Sequence, residues 1–104
     1  MAASRDADKV VCRTPTPGKK PTRIDAAKFA LVERAIRDVV PAGPPGLAFA
    51  KLADRVHERL SEDELKRLGS LLWYVTTVKL EMEVRGELVR VPGVVPQRLV
   101  RVSG

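Results

Sequence analysis

Three observations predict an α+β fold. Three segments carry apolar residues at three- and four-residue spacing, the hydrophobic period drops from about 3.6 to 2 after Gly86, and a Pro-Gly loop separates two alternating segments. The chain has 104 residues, enough for one domain. With 44% hydrophobic and 31% charged residues, a packed core is within reach.

The first helix is expected from Asp25 or Ala26 to Val40. Asp25 can cap its first turn. Phe29, Val32, Ile36 and Val39 make one apolar face, and Pro41 stops the helix. Ala42-Gly43-Pro44-Pro45-Gly46 is turn-rich. The second helix is expected from Phe49 to Leu60, burying Phe49, Leu52, Val56 and Leu60. Ala48 precedes it, a poorer cap than Ser or Asp by about 1 kcal/mol. Ser61 and Glu64 form a Ser-x-x-Glu capping box that opens a short turn ending near Leu68. Gly69 closes that turn, and Ser70 can cap a third helix running to about Arg85. Its buried face is Leu71, Val75, Val78 and Met82, with Trp73, Tyr74, Thr76, Thr77, Lys79 and Leu80 mostly off it. Glu87–Val91 and Gln97–Val102 are the strands of a hairpin closed by Pro92–Pro96.

Three helices followed by a hairpin are the order of a winged helix-turn-helix: a three-helix core with a C-terminal β-hairpin wing. Gly46-Leu47 can add a short edge strand. The hairpin, marginal alone, is expected to rest Leu88 and Leu99 on the helical core. Residues 25–104 make up this domain.

Residues 1–24 read as a basic, proline-rich, disordered tail. Pro15, Pro17, Gly18 and Pro21 fall within eight residues, which disfavours helix and interior strand. Six basic against two acidic residues give this segment +4 of the total +6. Such a tail either gathers the protein near nucleic acid through phosphate contacts or simply keeps it soluble.

One cysteine, Cys12, excludes an intrachain disulfide, and one histidine, His57, leaves no metal cluster or catalytic dyad. No paired carboxylates on a cleft, phosphate loop or nucleophile with a base is recognisable, so the chain reads as a non-enzyme without cofactor, metal or small-molecule ligand. The N-terminus lacks a signal-peptide apolar region and no run approaches a membrane span, so a cytoplasmic protein without membrane contact is expected.

Two stretches carry a resemblance. Residues 69–86 read GSLLWYVTTVKLEMEVRG and residues 90–99 read RVPGVVPQRL. They are similar to a family of small bacterial winged-helix proteins of unestablished function, in which W-Y/H-x-T-T-V-K-L-D/E precedes R-G and a basic wing R-V-P-G-x-x-P-Q-R-L. The resemblance covers about residues 25–102 and implies a winged-helix fold with a DNA-binding role. Ala48 stands at the usual capping position, and Val100 where a basic residue is common.

If the third helix enters a major groove, its reading residues are Ser70, Trp73, Tyr74, Thr76, Thr77 and Lys79. Ser70 and the first-turn N–H groups can hold a phosphate, the threonines can meet base edges or a thymine methyl, and Lys79 suits a phosphate or guanine. Arg90, Arg98 and Arg101 of the wing would straddle the backbone, with Gln97 as a polar reader. The function expected is duplex-DNA binding, as a transcriptional regulator or nucleoid-associated protein. The alternative is a protein-interaction or homodimerisation module built on Leu80, Val84 and the valine-rich hairpin. Glu81 and Glu83 favour that alternative, because they repel phosphate.

Overall fold

The computed structural model describes residues 8–102. Its elements run β1 (Lys9–Cys12), β2 (Thr22–Asp25), α1 (Ala26–Val39), β3 (Leu47–Ala48), α2 (Phe49–Arg59), α3 (Glu62–Leu68), α4 (Leu71–Val84), β4 (Leu88–Arg90) and β5 (Arg98–Arg101). The described residues thus form an α+β molecule with four helices and two small antiparallel sheets.

The periodic segments form helices within a residue or two of expectation. Pro41 follows α1, and the Ser61–Glu64 capping box opens α3, with the Glu64 N–H donating to Ser61 Oγ (3.1 Å) and the Ser61 N–H donating to Glu64 Oε1 (2.8 Å). Two expected caps are not made: the side chains of Asp25 and Ser70 stand at their N-cap positions without a cap hydrogen bond. Asp25 instead closes β2.

The segment read as a disordered tail is ordered from residue 8 onward. β1 and β2 pair antiparallel, with Val10 opposite Ile24 and Cys12 opposite Thr22. The expected boundary after residue 24 therefore falls inside β2. The physical reason is where the prolines sit: Pro15, Pro17, Gly18 and Pro21 all lie in the connecting loop, and neither strand contains one. Alternation puts Val10, Cys12 and Ile24 on one face. Cys12 and Ile24 join the core with Phe29, Val32, Ile36, Val75, Val78 and Met82. Residues 1–7, the rest of the expected tail, lie outside the described residues.

The second sheet has the order β3-β5-β4. Its short edge strand is Leu47–Ala48, one residue beyond the expected Gly46-Leu47. Leu88 and Leu99 are buried on the helices, and Val89 pairs with Val100 on the other face. Gly46 admits β3 to this sheet. It has φ +75°, and a Cβ there would strike the Leu99 carbonyl group. Gly46→Ala combines a disfavoured backbone with a backbone clash, so it should cost more than about 1 kcal/mol. A chemical-denaturation midpoint unchanged in this variant would contradict the packing described.

Candidate functional site

α4 is the centre of the molecule. It packs on α1, α2, α3, β1 and β4, and this wrapping buries charged side chains that a one-faced helix would expose. Lys79 is 2% exposed and Glu81 fully buried.

Each buried charge is paired. The β1 end closes over Glu81: the Arg13 backbone N–H donates to Oε1 (2.7 Å), and its guanidinium donates to Oε1 (3.1 Å) and Oε2 (2.7 Å). Arg85 Nε donates to Oε2 from one turn on (2.8 Å). Burial pushes the Glu81 carboxyl pKa up, but the hydrogen bonds from Arg13 and Arg85 and the Arg13 charge outweigh it and hold the pKa at about 2. The adjacent Cys12 thiol is pushed up to about 11, by burial first and then by the Glu81 charge, so it stays protonated and unreactive.

On the other side, Lys79 Nζ lies 2.6 Å from Glu83 Oε2 and 4.5 Å from the centre of the Phe49 ring. Burial lowers its pKa despite the Glu83 hydrogen bond. Arg90 Nε donates to Glu83 Oε1 (2.7 Å), which ties β4 to α4.

These pairings decide which expected DNA contacts are available. Lys79 does not face solvent, and the groove-facing position expected for it is corrected by the contacts of Phe49 and Glu83. Arg98 donates to the carbonyls of Pro45 (2.7 Å) and Gly46 (2.9 Å), and Arg101 to that of Val40 (3.3 Å). These two arginines fasten the sheet to the α1–β3 loop. Gln97 is half-buried, with its Oε1 lacking a hydrogen-bond partner, and its carbonyl accepts from the Phe49 N–H (2.9 Å). Ser70 is exposed, and Thr76 and Thr77 are half-buried. Tyr74 is half-buried, with Trp73 edge-on to it at 4.9 Å.

What α4 leaves open is apolar. Leu72 is 65% exposed and Trp73 45%, both in its first turn. Trp73, Thr77, Leu80 and Val84 continue along one side at spacings of four, three and four, each at least partly exposed. Beyond Tyr74 the surface dips into a groove of about 270 Å³ between the first half of α1 and α3, lined by Ala27, Leu31 and Leu68 and by the charged Asp25, Lys28, Glu64 and Arg67. Lys28 joins the two. Its Nζ lies 5.2 Å from the Tyr74 ring centre and 3.5 Å from both the Tyr74 hydroxyl and the Leu68 carbonyl oxygen.

A family model matches residues 9–99, most of the chain. The chain belongs to the family of unknown function DUF6958. The DUF6958 match begins at the first residue of β1 and ends within β5, so the family's unit takes in the N-terminal hairpin as well as the helices and most of the second sheet. No curated protein and no solved structure matches the chain. Among the described residues, no helix is long and apolar enough to cross a membrane.

The burial of Lys79 and Glu81 was missed from sequence, and a signal for it exists. α4 has apolar residues all round: Leu71, Leu72, Trp73, Val75, Val78, Leu80, Met82 and Val84. A helix of that kind is packed on most of its sides, here all but the open flank at Leu72 and Trp73, and the i,i+4 pairs Lys79–Glu83 and Glu81–Arg85 are the means of burying charge within it.

Proposed function

We propose that the chain is a winged-helix domain that docks a protein partner on the first half of α4. The fold part of this reading is supported by the order α1, β3, α2, α4, β4, β5 and by the sheet order β3-β5-β4, in which the first short strand lies beside the last. α3 is then an insertion between the second and third helices of the motif. The functional part rests on one observation. The turn of α4 where a DNA reader presents polar groups presents Leu72 and Trp73 to solvent. Exposed neighbouring large apolar side chains mark interaction surfaces, and tryptophan is enriched among the residues that dominate protein interfaces. Val95, 94% exposed at the wing tip, adds to the apolar surface.

A photo-crosslinking amino acid at position 73, expressed in the source cell, tests this. Discrete protein adducts are expected there, and none from the same group at exposed Glu58 on α2. Equal or absent adducts at the two positions would refute protein docking at α4.

Duplex-DNA binding is the second reading. One observation favours it: Lys19 and Lys20 stand exposed on the loop of a hairpin that is part of the folded domain, so part of the +6 excess is fixed in position. These lysines meet phosphates only. Lys19→Ala with Lys20→Ala should weaken all duplexes alike and remove about two counterions' worth of salt slope. A random duplex that fails to bind the intact chain at low salt would end this reading.

A further inference from the structure

We propose that the partner docked on α4 is a second copy of the chain, with the two α4 helices antiparallel across a two-fold axis. This rests on the protein-docking reading. Trp73, Thr77, Leu80 and Val84 form the open row of α4, flanked by Leu72 and Thr76, and none of these six is charged. The side chain of Glu83, beside the row, is 8% exposed and already paired with Lys79 and Arg90. A partner that met this row with charged groups would bury them unpaired. The fitting partner therefore presents an uncharged row of its own, and this chain carries one.

The row also fits itself. Its spacings of four, three and four read the same in both directions, so a two-fold axis brings Trp73 beside Val84 and Leu80 beside Thr77, each twice. Every such contact sets a large side chain against a smaller one, which close packing needs. A parallel pair would crowd Trp73 against Trp73 and leave Thr77 facing Thr77. The helix ends match as well. Helical side chains lean toward their own N-terminus, so in the antiparallel pair the Trp73 ring reaches past Val84 to the end of the other helix. There the carbonyls of Glu81, Met82 and Glu83 accept from Arg85, Glu87 and Gly86, whereas that of Val84 accepts no backbone N–H among the described residues. The Trp73 indole N–H also has no hydrogen-bond partner among them. The pairing gives that donor an acceptor at both ends. With 14 residues, α4 is about 21 Å long and about 10 Å across. The pair thus belongs with small interfaces, below about 1,200 Å², which form and dissociate readily.

The test is sedimentation equilibrium of the full chain up to ~0.5 mM. A monomer–dimer equilibrium is expected, with a dissociation constant that falls as salt rises, because two molecules of net +6 repel while the joined faces carry no charge. Trp73→Glu changes an exposed position, leaves the NMR spectrum dispersed and should raise the dissociation constant at least tenfold. Lys51→Glu on exposed α2 lowers the net charge without touching α4 and should not raise it. Under mild oxidation, a mixture of Thr77→Cys and Leu80→Cys chains should form a disulfide-linked pair, with buried Cys12 taking no part. Val84→Cys should not link to itself, since its two copies lie 11 residues apart along the pair, about 16 Å. A chain that stays monomeric, a dimer insensitive to Trp73→Glu, or self-linkage at position 84 would overturn the proposal. In the cell, crosslinks from position 73 at twice the mass of the chain are expected. Adducts there with other proteins only would overturn self-pairing and leave docking on α4 standing, whereas a monomer without adducts would overturn both.

Discussion

A chain lacking residues 1–24 should lose its cooperative fold. The deletion removes β1 and most of β2, and with them Cys12 and Ile24 from the core. Burying one such aliphatic side chain contributes about 1.5–3 kcal/mol, and the apolar surface of α1 and α4 beneath the hairpin would be newly wetted. The deletion also removes Arg13, whose backbone N–H and guanidinium hold the Glu81 carboxylate against α4. These losses are comparable with the whole stability of a small domain, about 5–15 kcal/mol. The expected result is a collapsed or unfolded chain with a poorly dispersed NMR spectrum and no sharp thermal transition. A truncated protein that melts cooperatively near the parent temperature would show that the hairpin is an accessory. The consequence for function is practical: truncation cannot be used to assign DNA affinity to the N-terminal segment, and point changes at Lys19 and Lys20 are needed instead.

The helices were legible in the sequence because their signals are local. Phe29, Val32 and Ile36, or Leu52 and Val56, recur at helical spacing whatever packs against them, and the Ser61–Glu64 box is complete within four residues. The C-terminal hairpin is legible for the same reason, through the change of period at Gly86. The N-terminal hairpin was not. Its strands hold four residues each, and what fixes them is Glu81, 68 residues along the chain from Arg13. The prolines that argue against regular structure lie in the loop between the strands and say nothing of the strands themselves. Among the expected site residues, several charged ones are engaged within the fold, and others stand exposed. Lys79 and Arg98 carry the charge a phosphate contact needs, but a side chain's charge says nothing of whether the fold has used it. Lys79 lies beneath Phe49, and Arg98 closes on two carbonyls. Ser70 and Trp73 are exposed as their positions off the apolar face of α4 suggested.

Glu81→Ala should destabilise the protein by about 3 kcal/mol, the lower end of the range for breaking a buried pair. The lower end applies because Arg85 keeps Glu33 and Glu87 within 3.8 and 4.0 Å, and because Arg13, half-exposed, can return to water. Glu81→Gln keeps the side-chain volume and should cost less, yet it should alter the response to acid. The native carboxyl titrates at about 2 against an ordinary 4.5. A depressed carboxyl stabilises the fold fully above its ordinary pKa, and that contribution falls away as the pH drops from about 4.5 to about 2. Glu33 works in the opposite sense. Its pKa is raised, by burial first and then by the hydrogen bond and charge of Glu87, so its contribution is present in acid and lost as pH rises. The difference in melting temperature between parent and Glu81→Gln isolates Glu81, since Glu33 is common to both. That difference should be largest above pH 4.5 and shrink steadily toward pH 2. A difference that stays constant across this window would mean that the Glu81 carboxylate is not the charge that holds Arg13, and with it the hairpin, on α4.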